Sequence, residues 1–181
     1  MLTRCDRKPQ TIAGPEGALS TFELEPGFKI ELVAAEPLIS DPVDMEIDEY
    51  GRLYVVEMHG YPLDKSGSGF IELLADTNGD GRMDKKTVFA EGLVLPDGIM
   101  RWKKGVLVTD APNVLYLEDT NGDGRADIRD TVLTGFALSN PQHNLNNPLL
   151  GLDNWIYLAH QSHFTLCYPL MIQSAQKLIN S

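Results

Sequence analysis

Cysteine is scarce in this sequence, and its scarcity excludes several kinds of site. Only Cys5 and Cys167 occur among 181 residues. They match neither the CxxC spacing of a zinc or redox site nor the CxxCH motif that attaches haem. The pair allows one disulfide, although two ordinary thiols are the favoured interpretation. The sequence also lacks a glycine-rich phosphate loop, a GxSxG elbow and an HExxH motif, which excludes several common enzyme signatures.

Basic residues and long apolar runs are also in short supply. The chain has 15 Lys and Arg against 26 Asp and Glu, a net charge of −11. This balance argues against a nucleic-acid partner, because phosphate binding needs a basic surface. No run approaches the roughly 18 apolar residues of a membrane span, so no transmembrane segment is predicted. The first ten residues lack the apolar stretch of a signal peptide. We therefore expect a cytosolic protein or a true start further upstream.

The most distinctive feature present is a nonapeptide that occurs twice. DTNGDGRMD at 76–84 returns as DTNGDGRAD at 119–127, an interval of 119 − 76 = 43 residues, with eight of nine positions identical. Calcium binds six to eight hard oxygens. The pattern offers side-chain oxygens at positions 1, 3, 5 and 9 and a backbone carbonyl at position 7, while glycine at position 6 allows a sharp turn. We therefore predict two structural calcium sites, the alternative being two turns without an ion.

The predicted ligands are Asp76, Asn78, Asp80, Arg82 and Asp84 in the first loop, and Asp119, Asn121, Asp123, Arg125 and Asp127 in the second. Each arginine would contribute its backbone carbonyl. The related EF-hand loop adds a bidentate Glu at position 12, which is Thr87 in the first loop and Asp130 in the second. Asp130 is therefore a further predicted ligand, and the second site is expected to be the better one. A dockerin-like pair of calcium helices is the alternative, but strand-like sequence follows each loop.

Short apolar runs separated by turn residues predict an all-β fold. The second runs of successive units centre on Leu53, Leu107 and Ile156, at intervals of 54 and 49 residues. Units of four short strands at this spacing are typical of β-propeller blades. A helical repeat would need apolar spacings of three and four, and a sandwich would not repeat one loop in each unit. We therefore predict a partial β-propeller of about two and a half four-stranded blades.

The predicted organisation has three parts: a poorly ordered lead-in at 1–17, the partial propeller at 18–160, and an unpatterned tail at 161–181. The tail is either helical or an artefact of truncation. Phe28–Val33 alternates apolar and polar residues, so it is the first predicted strand. The other predicted strands are Val43–Ile47, Arg52–Val56, Phe70–Ala75, Thr87–Ala90, Gly98–Trp102, Val106–Thr109, Val114–Leu117, Thr131–Thr134, Pro148–Leu152 and Trp155–Leu158.

His143 is the main candidate for catalysis. It lies in a polar loop, NPQHNLNN at 140–147, just before a predicted innermost strand. Loops at that end of a propeller face the central channel, where ligands bind. An imidazole titrates near neutral pH and can accept a proton from a substrate hydroxyl. The alternative is a hydrogen-bonded loop histidine. His59, Glu57 and Asp110 occupy comparable positions after strands and are weaker candidates for lining the channel.

Several stretches together resemble a known family. They are LSTFELEPGF at 19–28, ELVAAEPL at 31–38, DPV at 41–43, GRLYVVEM at 51–58 and both DTNGDGR loops. Over roughly residues 18–160 they are similar to the N-terminal part of bacterial membrane-bound-dehydrogenase-type propellers. These are common in planctomycetes and often fused to a c-type haem domain. They are distantly similar to soluble pyrroloquinoline-quinone (PQQ) sugar dehydrogenases, which have six blades.

This resemblance implies an oxidoreductase acting on a sugar or alcohol. The segment from His143 to LLGLDNWIY at 149–157 is similar to the one that carries the base histidine in the quinone enzymes, which implies that role for His143. The later blades that would supply quinone-binding Lys and Arg are not in this chain, and neither is a haem motif. PQQ and a haem partner are therefore expected only for a full-length protein, and this chain alone is expected to be inactive.

The alternative is a non-catalytic, calcium-stabilised propeller module that binds carbohydrate or protein. Calcium sites with few charged ligands suit millimolar extracellular concentrations. This favours a periplasmic or extracellular location despite the missing signal peptide.

Overall fold

The computed structural model describes residues 14–160, and in this range most of the regular secondary structure is β. A short helix, α1 (Gly14–Leu19), precedes the strands, and a 3-10 turn (Pro141–His143) lies late in the range. The strands are β1 (Pro42–Ile47), β2 (Leu53–Glu57), β3 (Gly69–Ala75), β4 (Lys85–Leu93), β5 (Pro96–Trp102), β6 (Gly105–Asp110), β7 (Asn113–Glu118), β8 (Ile128–Thr134), β9 (Asn146–Leu150) and β10 (Ile156–Ala159). The predicted all-β class is confirmed.

The strands form three successive antiparallel units. Strands β1 to β4 make a four-stranded meander, sheet 1, and β5 to β8 make an equivalent sheet 2. Strands β9 and β10 form a two-stranded hairpin. Neighbours in sequence are neighbours in each sheet, as tight turns between antiparallel strands require.

Local chemistry accounts for the turn that opens sheet 1. The buried Asp48 carboxylate accepts the backbone N–H groups of Tyr50 and Arg52 at 2.9 Å each. Gly51 adopts φ 77°, a conformation that favours glycine. The turn therefore joins β1 and β2 as a hairpin in which Ile47 pairs with Leu53.

The units pack face to face. We call the face of a unit that meets the unit before it in sequence the leading face, and the opposite face the trailing face. The trailing face of sheet 1 contributes Tyr54, Val56, Ile71, Leu73 and Phe89 to one buried cluster. The leading face of sheet 2 contributes Ile99, Val106, Val108, Leu115 and Leu117 to the same cluster.

The second seam repeats this arrangement. Met100, Leu107 and Val114 on the trailing face of sheet 2 pack with Leu145 and Ile156 beside and within the hairpin. Burial of such side chains contributes about 1.5–3 kcal/mol each. The two seams therefore join all three units into one folded body.

The first strands of the three units lie side by side. The backbone N–H of Ile99 in β5 donates to the Asp44 carboxylate of β1 at 2.9 Å. A Cβ added to Gly98 would lie 2.6 Å from the backbone nitrogen of Asn147 in β9. Glycine is therefore needed where β5 approaches β9, and the starts of β1, β5 and β9 converge at one end of the molecule.

Two predictions about the N-terminal part need correction. Residues 14–17 belong to α1 rather than to a poorly ordered lead-in. Phe28–Val33 belongs to no sheet in the described range, and its burial alternates only from Ile30 onward, since Phe28 is 75% exposed. Alternation reports which side of a chain is covered, not whether a ladder partner exists. Residues 1–13, the tail at 161–181, Cys5 and Cys167 lie outside the described residues.

Candidate functional site

Both nonapeptides form loops between the third and fourth strands of a sheet, as predicted. In the first loop, the Asp76 carboxylate accepts the backbone N–H of Gly79 at 2.7 Å and that of Gly81 at 2.8 Å. These N–H groups keep the pKa of Asp76 below its usual value. The side chains of Asn78 and Asp80 accept the N–H groups two residues further on. The loop therefore curls around its own side-chain oxygens.

The second loop repeats this geometry almost atom for atom. Asp119 accepts the N–H groups of Gly122 and Gly124 at 2.7 and 2.8 Å. At position 9, Asp127 accepts the Thr120 hydroxyl at 2.7 Å, as Asp84 accepts the Thr77 hydroxyl at 2.8 Å in the first loop. The position-9 carboxylate therefore closes each loop.

The two loops contain the types of oxygen atom that a hard cation prefers. Carboxylate and amide oxygens are the ligands that calcium prefers, and a carboxylate oxygen that accepts one hydrogen bond keeps a second lone pair. Within residues 14–160, however, no group of three or more His, Cys, Asp or Glu side chains is placed to hold a metal ion. A cation here would therefore also need the asparagine amide oxygens, the backbone carbonyls of Arg82 and Arg125, and water.

Asp130 lies away from the loop that it was predicted to complete. It is the third residue of β8 and pairs with Tyr116 across the ladder, beside a small pocket lined also by Trp102. In an EF-hand, position 12 is carried back to the ion by a helix, whereas here a strand continues away from the loop. The higher affinity expected for the second site stays a prediction. The dockerin-like alternative is wrong, because β4 and β8 follow the loops.

Each loop also attaches its sheet to the chain in front of it. The N–H of Ala126, at position 8 of the second loop, donates to the carbonyl of Phe89 in β4 at 2.8 Å. The N–H of Met83, at position 8 of the first loop, donates to the carbonyl of Val33 at 2.9 Å. The second loop therefore links sheet 2 to sheet 1 by a backbone hydrogen bond.

A second candidate site is the end where β1, β5 and β9 begin, which we call the rim. Two buried carboxylates organise it, Glu57 at the end of β2 and Asp110 at the end of β6. Glu57 accepts the N–H of Ser40 at 2.8 Å, and Asp110 accepts the N–H groups of Val94 and Leu95 at 2.9 Å. Each carboxylate fixes the segment that leads into the first strand of its own sheet. Both were weak sequence candidates for lining a channel, and both have structural partners.

Asp97 is a rim residue that sequence reasoning missed. It is partly buried at the start of β5, where it accepts the Thr109 hydroxyl at 2.7 Å. Its pKa is raised to about 7, chiefly by burial; the hydrogen bond from Thr109 acts to lower it, and the charges of Asp110 and Asp44 act to raise it. The available sequence signal for this end was a repeated pattern, in which a proline precedes one apolar run and an acid ends the next. It occurs at Pro42 and Glu57 and again at Pro96 and Asp110, and these residues pair in the structure.

The rim histidines differ in their surroundings. His143 ends the 3-10 turn with its side chain exposed, and no side-chain hydrogen bond to its ring is found among the described residues. The adjacent Asn144 is 7% exposed, and its side-chain oxygen has no partner among those residues. His59 instead bridges two carboxylates, Glu57 at 3.0 Å and Asp41 at 3.1 Å. The accessible imidazole is therefore that of His143, and the anchored one is that of His59.

Comparison with protein families places the chain. Residues 14–177 match the model of a family described as a domain of unknown function, DUF7133. The chain belongs to this family. None of the curated proteins compared with this DUF7133 chain matches it. Within its described residues, the DUF7133 chain has no helix that is both long and apolar enough to cross a membrane.

Proposed function

We propose that this chain is part of a β-propeller that calcium stabilises at its two nonapeptide loops and that binds a small ligand or a partner at its rim. The observation that carries the proposal is the repetition of one unit. Sheets 1 and 2 share strand order, loop position and loop hydrogen bonds, and they stack with their first strands adjacent. Radial stacking of four-stranded meanders around their innermost strands is the propeller architecture.

Calcium would act at these loops as a structural ligand. The Asp76 and Asp119 carboxylates are already held by backbone N–H groups, so little further ordering is needed for binding. A cation would offset the mutual repulsion of three aspartates in each nine-residue loop. The second loop would also strengthen the seam between sheets 1 and 2 through Ala126 and Phe89.

A calcium titration with matched variants tests this part of the proposal. We expect millimolar calcium to raise the melting temperature of the chain and a chelator to reverse the rise, because a ligand that binds only the folded state stabilises it by mass action. Asp123→Asn removes a charge from the second loop and should reduce the rise. Asp153→Asn, at a turn outside both loops, serves as the control. A melting temperature that does not respond to calcium would exclude a stabilising calcium site in these loops.

A catalytic role at the rim is the second candidate, and the exposure of His143 favours it. An exposed imidazole at the convergence of three first strands can accept a proton from a bound sugar or alcohol hydroxyl. Oxidation would also require a hydride acceptor, which is a quinone in the enzymes that the sequence distantly resembles. PQQ itself does not fit the described rim, because a tricarboxylate needs cations and the rim carries Asp41, Glu57, Asp97 and Asp110. We therefore assign no step that involves a quinone.

Dye reduction tests the catalytic candidate. A longer protein that contains this chain is incubated with calcium, a panel of sugars and alcohols and an artificial electron acceptor, with and without added quinone. Catalysis by His143 predicts that His143→Ala lowers turnover by roughly 10²-fold or more. Gln142→Ala, in the same exposed turn, should leave turnover unchanged. Equal turnover for the two variants, or none for the wild type, would count against this candidate and would leave the calcium proposal standing.

A further inference from the structure

The leading face of sheet 1 carries an apolar groove. It has a volume of about 600 Å³, and its lining includes Leu32 and Val33 on one side and Val43, Met45 and Ile47 of β1 on the other. The three β1 side chains are 48%, 61% and 59% exposed. Such a contiguous apolar surface marks an interaction site more often than a free surface.

The register of the strands identifies what normally covers such a face. Pro42 pairs with Glu57 and Pro96 pairs with Asp110, and an irregularity follows each pair, so β1 and β5 can be aligned residue by residue. Met45 is then equivalent to Ile99. Ile99 is only 4% exposed, because the trailing face of sheet 1 covers it. The groove is therefore the counterpart of a surface that is an intersheet seam elsewhere in this molecule.

Residues 28–34 mark the edge of the sheet that would cover the groove. Val33 accepts the N–H of Met83, just as Phe89 in β4 accepts that of Ala126. Ile30, Leu32 and Ala34 are half-buried, while Glu31 and Val33 are exposed, as in a strand. This segment thus occupies the place of an outer strand such as β4, but it has no ladder partner in the described range. Three further strands would complete the sheet.

The opposite end of the chain exposes the complementary surface. Ile156 of β10 is buried against sheet 2, so the adjacent Tyr157 points to the trailing face. Tyr157 is 52% exposed, and Leu149, which pairs with it across the hairpin, is 65% exposed. At both seams within the molecule, a trailing face covers the leading face of the next unit. The hairpin presents an uncovered trailing face of that kind.

We propose that two copies of this chain associate head to tail, with the trailing face of the β9–β10 hairpin of one copy seated in the groove of the other. The hairpin supplies two of the three strands needed beside residues 28–34. Two such contacts related by a two-fold axis close a dimer, in which the hairpin of each copy contacts the groove of the other. The proposal depends on neither calcium nor catalysis.

Mass measurement on the purified chain with charged variants tests this proposal. We expect light scattering at about 0.15 M salt, where charge repulsion is screened, to give the mass of two 20.0 kDa chains. Met45→Glu and Leu149→Glu should each weaken association by roughly tenfold or more, because a carboxylate would be buried in the seam. Leu63→Glu makes a similar change at an 83% exposed loop residue, and it should leave the mass unchanged.

Cysteine cross-linking tests the direction of the contact. Met45→Cys and Tyr157→Cys are placed in separate chains whose Cys5 and Cys167 are replaced by Ser. Head-to-tail docking predicts a disulfide-linked pair only when the two variants are mixed. A single-chain mass at about 100 μM for the wild type would overturn the proposal and leave the groove to a different polypeptide. Cross-linking of the Met45→Cys variant to itself alone would also overturn it.

Discussion

At the residue scale, the unusual carboxylate is Asp97, which is distinguished by its partial burial and not by a sequence motif. Glu57, Asp97 and Asp110 all lie at the rim, but the first and last satisfy backbone N–H groups, whereas Asp97 is bonded through the Thr109 hydroxyl. A carboxylate with few donors and two acidic neighbours is costly to ionise in a partly buried site. The sequence PDG at 96–98 is typical of an ordinary turn. The raised pKa of Asp97 depends on burial in the folded chain, so it could not be predicted from the sequence.

This proton affinity makes the stability of the chain depend on pH. The pKa of Asp97 is about 7 in the folded chain, against a usual value of 3.8. Between these values the folded state holds one proton more than the unfolded state, so the contribution of this group to stability falls as pH rises from about 4 to 7. Asp97→Asn keeps an acceptor for Thr109 and removes the charge. We expect it to stabilise the chain at pH 8 by on the order of 2 kcal/mol.

Chemical denaturation at pH 4 and pH 8 measures this effect. The gain from Asp97→Asn should be largest at pH 8 and smallest at pH 4, where the wild-type carboxyl is protonated in the folded state and close to half protonated in the unfolded state. Asp153→Asn, at an exposed turn, provides a control for a generic loss of negative charge. An identical gain at both pH values would show that Asp97 does not titrate near neutrality.

At the element scale, strand positions were predictable and strand partnership was not. The sheet strands occur where apolar runs lie between turn signals. Strands β2 and β6 are fully buried, β1 alternates in burial over its second half, and the turn at Asp48 and Gly51 has its own hydrogen bonds. The Phe28–Val33 segment has the same signal, yet its ladder partners are missing in the described range. Asp130 shows the same limit, since loop spacing alone does not reveal that a strand carries position 12 away.

At the scale of the whole molecule, the two loops have nearly the same sequence but different consequences. The Asp76 and Asp119 carboxylates hold equivalent glycine N–H groups in their own loops. The second loop joins two packed sheets through Ala126, whereas the first joins sheet 1 to the unpaired segment that contains Val33. The hydrogen bonds within the two loops are thus equivalent, but the two loops connect different parts of the chain.

Alanine substitution at position 1 of each loop should therefore have unequal effects. Asp119→Ala leaves the glycine N–H groups of the second loop unpaired and loosens the seam. We expect it to lower the unfolding free energy by about 1–3 kcal/mol and to speed hydrogen exchange in β4 as well as in β8. Asp76→Ala removes equivalent bonds, but its effect should be smaller and confined to residues 28–41 and 76–84. Working in a chelator separates this scaffold effect from calcium. Equal global losses for the two variants would show that the Ala126–Phe89 connection contributes nothing to the coupling of the sheets.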